Sequence, residues 1–251
     1  MKDESGAFSQ AIAAALKEGI ELVIVHGGGP QIDAALLAAG IQSQSIGGFR
    51  VTTPEIFEIV QSVLAGEVCA KVVSNLRKAG VNAVGISGRD GNTLQGIRMT
   101  KIVDGTPAEL GLVGEVTAVD TELVASLLEE KFTPVISPLA NEIGAENGLN
   151  VNADIAAAAI AGGLKAESLI VLTDVAGIYR NYPDPSSVIS EISATELAAM
   201  KDDFQGGMAP KVAACLAAIS AGATAVRIID GNSAENLLLA LAGTGGTLVH
   251  A

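Results

Sequence analysis

Residues 21–31 read Glu21-Leu22-Val23-Ile24-Val25-His26-Gly27-Gly28-Gly29-Pro30-Gln31. An apolar run without alternation ends in three glycines and a proline. Such a run is the pattern of a strand buried on both faces, here expected over 21–26. Proline suits the first turn of a helix, and a helical pattern follows over 31–39. Adjacent glycines at a strand-to-helix junction let the backbone approach a ligand closely. They also aim N–H groups at an anion, and the helix dipole favours the same charge.

The same alternation extends outward in both directions. Helical patterns are expected over 8–17, from Thr53-Pro54 to about 78, and over 121–130, 208–220 and 234–241. Strands are expected over 81–86, 133–137, 169–172, 225–229 and 247–249, with strand-like pieces in 94–119. Gly47-Gly48 marks a hairpin within 42–51. Thr53 reads as an N-cap followed by proline. Ser193-x-x-Glu196 reads as a capping box. Strands alternating with helices predict an α/β fold, an open αβα sandwich with a mostly parallel central sheet. Two lobes are expected, 1–164 and 165–251, with the site at the strand C-terminal ends.

The 251 residues carry 15 basic and 28 acidic side chains, a net charge of −13. A surface this acidic repels nucleic acid and anionic lipid, so neither is an expected partner. An anionic ligand then needs a local cation, which makes each pocketed Lys or Arg informative. Cys69 and Cys215 lie in apolar helical patterns without metal-binding spacing, and both read as buried free thiols. The longest apolar run, 155–164, is far short of a membrane span. With a polar N-terminus, the expected location is the cytoplasm.

Five motifs carry candidate chemistry. His26-Gly27-Gly28-Gly29 also resembles an esterase oxyanion loop, but no G-x-S-x-G accompanies it and the other histidine is His250. Gly48-Phe49-Arg50 places a guanidinium that either grips a carboxylate bidentately or makes an ordinary surface ion pair. Asn150-Val151-Asn152-Ala153-Asp154 opens an Ala-rich helix, as ligands for a substrate or as a capping cluster. Lys211, after Gly206-Gly207, either neutralises phosphate charge or is a solvated helix-start lysine. Leu172-Thr173-Asp174 through Tyr179 either lines a nucleotide pocket or forms a turn capped by Asp174. Neither G-x-x-x-x-G-K-[ST] nor G-x-G-x-x-G occurs, so a nucleotide would bind outside those signatures. No metal-ligand cluster is expected.

Taken in order, HGGGPQID, GGFRVTT, VGISGRDG, GLVGEV, NVNAD, LTDVAGIY and GGMAPKV resemble the acetylglutamate kinase branch of the amino-acid kinase family, from about Glu21 to the C-terminus. The resemblance implies transfer of the γ-phosphoryl of ATP, with Mg²⁺, to the side-chain carboxylate of N-acetyl-L-glutamate, a step of arginine biosynthesis. It implies substrate binding by Gly27, Gly28, Arg50 and Asn150. Catalytic roles fall to Gly27, to Lys211 and to Asp154, which orients catalytic lysines. Nucleotide binding falls to Thr173, Asp174, Tyr179 and Lys211. It also implies a homodimer or higher homo-oligomer formed through N-lobe helices. A kinase for a carrier-linked aminoadipate and a ligand-binding pseudo-enzyme are the alternatives.

The family pattern opens with a strand ending in Lys-x-Gly-Gly, which does not occur before Met1-Lys2-Asp3-Glu4 here. The expectation is therefore impaired turnover for these 251 residues. Glu235 and Ala240 stand where arginine-inhibited relatives carry His and Glu, so the resemblance does not carry arginine inhibition across.

Overall fold

The computed structural model describes residues 5–102, 105–204 and 208–251. Met1 to Glu4, and Gly206 and Gly207 of the Lys211 motif, lie outside the described residues. The first half runs α1 (Ala7–Lys17), β1 (Ile24–Val25), α2 (Gly29–Ala38), β2 (Ser45–Ile46), β3 (Phe49–Arg50), α3 (Pro54–Gln61), a π-helical segment (Ser62–Val68), α4 (Cys69–Lys78), β4 (Ala83–Ser87) and β5 (Leu94–Arg98). Next come β6 (Gly114–Val119), α5 (Glu122–Glu129), β7 (Thr133–Ser137), β8 (Leu139–Glu142), β9 (Gly148–Asn150) and α6 (Ala153–Gly163). The remainder is β10 (Leu169–Thr173), β11 (Glu191–Ser193), α7 (Ala194–Ala199), α8 (Met208–Ser220), β12 (Ala225–Asp230), α9 (Ala234–Leu241) and β13 (Thr247–His250).

The expected α/β layering with parallel ladders is present. β1, β7 and β4 form one parallel sheet, in that order. β10, β12, β13 and β11 form a second, parallel between β10 and β12 and between β11 and β13. β1 and β10 are outer strands of these two sheets, and no ladder joins them among the described residues. Ile24 of β1 and Ile170 and Leu172 of β10 nevertheless pack into one apolar cluster with Ala11 and Ile12 of α1.

Two differences from the sequence reading have local causes. The strand expected over 21–26 is reduced to Ile24–Val25: among the described residues β7 is its one ladder partner and pairs with those two residues. A second layer, in the order β6-β5-β8-β9, includes a hairpin over 139–150 that the pattern does not announce. That stretch alternates weakly, although Leu139, Ala140 and Leu149 are fully buried.

Helix starts follow their caps. The Thr53 hydroxyl accepts from the Ile56 amide at 3.3 Å. Ser193 and Glu196 exchange both bonds of a capping box at 3.1 Å. Gly47 and Gly48 take φ of 57° and 86°, which any side chain would resist, and so the hairpin β2–β3 turns there.

Helix α6 is the shared element. Its Ala156 and Ile160 belong to the core of the first half, with Leu64, Ile136 and Leu149. Its Ala158 and Ala161 belong to the core of the second, with Val212 and Cys215 of α8. A Cβ on Gly162 would lie 2.3 Å from the Cβ of Ala221, the residue after α8, so only glycine admits the end of α8 this closely. The two elements that carry Asp154 and Lys211 are thereby packed together.

Candidate active site

The glycine loop joins β1 to α2. Gly28 is the N-cap of α2 and no side chain caps it, so first-turn amides remain available to a ligand. A Cβ on Gly28 would stand 2.6 Å from Leu64 Cδ2, and one on Gly27 would stand 3.7 Å from the Cβ of Ala153. The loop therefore lies between the π segment and the start of α6. Adding a residue to a helical turn is a recurrent device at functional sites, and here it sets Leu64 against the loop.

His26 anchors this loop. Its Nδ1 is 3.0 Å from the Gly27 carbonyl, which can only accept, so that nitrogen carries the proton. Nε2 lies 3.2 Å from Ser137 Oγ, whose hydroxyl donates to the Leu64 carbonyl at 3.3 Å. Burial holds the imidazole below its ordinary value of 6.5. The unfolded chain takes up a proton near that value while the folded chain stays neutral. The His26 contribution to stability is thus complete above about pH 7 and declines as pH falls through 6.5 toward the lowered folded value. Thermal unfolding is expected to show a falling midpoint between about pH 7 and pH 5.5, with a shallower fall in His26→Gln; equal slopes in both proteins would remove the assignment.

Arg50 sits on β3 with its side chain 14% exposed. Its Nη1 contacts Asp33 Oδ1 at 2.6 Å and donates to Ser43 Oγ at 2.5 Å. The Arg50 carbonyl accepts from the Thr52 hydroxyl at 2.8 Å, and Thr52 accepts from Asn150 Nδ2 at 3.1 Å. A cavity of about 60 Å³ is lined by Gly48, Phe49, Arg50, Val113, Asn150, Val151 and Asn152. The structure thus brings Arg50 and Asn150 to one concavity. The ion pair also occurs, with an acidic partner that sequence reasoning missed. Hairpin register would have suggested Ser43, since it lies diagonal to Arg50 once Ser45 is opposite.

Asn152 is the cap of α6, accepting from the amides of Asp154 at 2.9 Å and Ile155 at 3.2 Å. This leaves Asp154, in the first turn, free to face α8. Lys211 Nζ donates to Asp154 Oδ2 at 2.8 Å, and the two side chains are 19% and 22% exposed. A solvated helix-start lysine would be far more exposed. Cys215 lies one turn on, and burial raises its thiol to about 12, so it stays protonated. Both cysteines are free and buried.

Thr173 ends β10 and donates to Asp174 Oδ1 at 3.1 Å. Tyr179 packs edge-on against Tyr182, with ring centres 5.4 Å apart. These local contacts decide neither for a nucleotide pocket nor for a turn capped by Asp174. A larger cavity of about 500 Å³ lies elsewhere, at the free edge of β4, lined by Gln61, Ser87, Arg89, Asp90 and Asn141. It contains none of the residues above. Among the described residues no three His, Cys, Asp or Glu side chains cluster to hold a metal. No described helix is long and apolar enough to cross a membrane.

Parallel ladders between helices, a glycine loop at a strand end and a lysine paired across two helices define a class: α/β proteins built on parallel strands with a glycine loop at a strand end. The chain belongs to the amino acid kinase family, whose sequence profile matches residues 2–230. It is similar to the acetylglutamate kinase of Arthrobacter sp. (strain FB24), 46% identical over 96% of this chain and 79% of that one. It is also similar to the acetylglutamate kinase of Streptomyces coelicolor, 42% identical over 95% and 78%. Among solved structures it resembles the N-acetylglutamate synthase of Neisseria gonorrhoeae complexed with coenzyme A and N-acetyl-glutamate. That match has a TM-score of 0.82 and 27% identity, over 98% of this chain and 55% of the synthase. Carbamate kinase from Giardia lamblia shares the fold, with a TM-score of 0.72 and 21% identity, over 98% of this chain and 88% of that one.

Proposed function

We propose that the chain transfers the γ-phosphoryl of ATP to the side-chain carboxylate of N-acetyl-L-glutamate, forming an acyl phosphate for arginine biosynthesis. The observation that carries this reading is the convergence at the start of α6. Asn150 donates to Thr52, which is bonded to the Arg50 carbonyl, on one side, Asp154 holds Lys211 on the other, and Gly27 approaches Ala153 between them. The relatives that share 41–46% identity and are named acetylglutamate kinase support the same substrate.

The residues have separable tasks. Arg50 grips the α-carboxylate by a charge-assisted fork and Asn150 adds a polar contact. The amides of Gly27 and Gly28 face the transferring group at the start of α2. Lys211 supplies positive charge where phosphate charge moves, and Asp154 fixes the direction of its ammonium. A carboxylate is already ionised at pH 7, so the acceptor needs no general base, and positioning with charge is the whole task. Thr173, Asp174 and Tyr179 are assigned to the nucleotide, with 165–251 as the nucleotide lobe and 1–164 as the substrate lobe. Magnesium would arrive on the triphosphate oxygens. A homo-oligomer through α2 and the helices after Thr53 is part of this reading; Leu37 on α2, 79% exposed, supports it.

Hydroxylamine converts an acyl phosphate to a hydroxamate, which gives a direct assay. Hydroxamate should form with ATP and N-acetyl-L-glutamate and not with acyl-amino acids that lack a side-chain carboxylate. The assay is run on the 251 residues. No hydroxamate above the rate without protein would overturn the reading.

A further inference from the structure

A guanidinium has five N–H donors in a fixed plane, and its orientation decides which edge a ligand meets. At Arg50 two acceptors converge on one terminal nitrogen. Asp33 Oδ1 lies 2.6 Å and Ser43 Oγ 2.5 Å from Nη1. Ser43 Oγ accepts one hydrogen of Nη1, and Asp33 Oδ1 stands against the same nitrogen as an ion pair. Among the described residues the Nε and Nη2 hydrogens have no acceptor, and they form one parallel fork of the kind that matches a carboxylate. We propose that Asp33 is a positioning residue that turns this fork toward the substrate carboxylate, and so sets the preference for a free α-carboxylate. The inference rests on the substrate reading above.

The placement of Asp33 supports a positioning task. It stands one helical turn beyond Gly29 on α2, the helix that the glycine loop opens. Its ion pair with Arg50 therefore links the hairpin β2–β3 to the same helix that presents Gly27 and Gly28. The opposite possibility is that Asp33 competes with the ligand's carboxylate for Arg50. Its side chain is 62% exposed, whereas that of Arg50 is 14% exposed. A carboxylate so well solvated repels another across the guanidinium only weakly. Orientation of the largely buried partner outweighs it. Asparagine keeps an acceptor oxygen and drops the charge, and therefore separates the two effects.

The test uses calorimetric titration of the full chain with N-acetyl-L-glutamate and with its α-amide, which lacks the carboxylate in question. For Asp33→Ala the dissociation constant for N-acetyl-L-glutamate should rise about tenfold, as for one lost charge-assisted bond. Affinity for the α-amide and for a non-hydrolysable ATP analogue should stay within about twofold of the parent, so discrimination between acid and amide falls about tenfold. Asp33→Asn should recover most of that discrimination. A tighter dissociation constant in Asp33→Ala or Asp33→Asn would show competition and overturn the proposal. Equal weakening toward acid and amide would show a merely structural role and overturn it too. An unsubstituted chain that does not prefer the acid over the amide overturns the substrate reading itself, and this assignment with it.

Discussion

Lys211→Met is expected to lower kcat by about 10²–10³, with a much smaller change in KM for N-acetyl-L-glutamate. The argument begins from geometry. Lys211 lies in the first turn of the apolar helix α8 and is held at 2.8 Å by Asp154, on the helix α6 that the two cores share. A lysine that merely capped solvent would not be fixed across the molecule. Methionine preserves the length and apolar stem of the side chain, so packing against α6 is retained while the charge is lost. An interaction made only in the transition state lowers kcat and kcat/KM together. Asp154→Asn keeps the charge on Lys211 and weakens its direction, and should lie between Lys211→Met and the parent. Each variant is compared with its parent, with thermal unfolding as a control. A kcat within threefold of the parent in Lys211→Met would remove Lys211 from the mechanism.

Much of this architecture is readable from local chemistry. Caps are short-range devices, which is why Thr53 and Ser193 mark helix starts that the structure reproduces. Gly47-Gly48 likewise needs only its own φ values to turn a hairpin. Other features depend on partners far along the chain. Lys211 and Asp154 are 57 residues apart, and no spacing rule connects them. The resemblance pointed to Asp154 as an orienter of lysines, and the bond is found between these two residues. Asp33 had no such pointer, because the path from α2 to the hairpin is set by tertiary packing. The π segment at Ser62–Val68 leaves no composition signal, since its residues would serve an α-helix equally well. It packs Leu64 against Gly28, whose missing side chain leaves the room. The β8–β9 hairpin escaped because its exposed face and its turn share the same polar residues.

Arg50→Ala is expected to raise KM for N-acetyl-L-glutamate by about 30-fold or more, leaving KM for ATP within about twofold. Arg50 is mostly buried, and its carbonyl is bonded through Thr52 to Asn150, so its backbone is fixed independently of its side chain. Truncation therefore removes the fork without releasing the hairpin. The lost interaction is a charged one in a partly dry site, which is worth more than an exposed pair. Arg50→Lys tests geometry separately from charge. An ammonium is a point donor and cannot make two parallel bonds in one plane, so KM should rise about tenfold even though the net charge is unchanged. Higher salt screens whatever attraction the ammonium retains, and KM in Arg50→Lys should rise with ionic strength more steeply than in the parent. Steady-state kinetics over a range of salt reads both effects. If Arg50→Lys binds as the parent does, the fork is not what recognises the substrate, and the ion pair with Asp33 would be the whole task of Arg50.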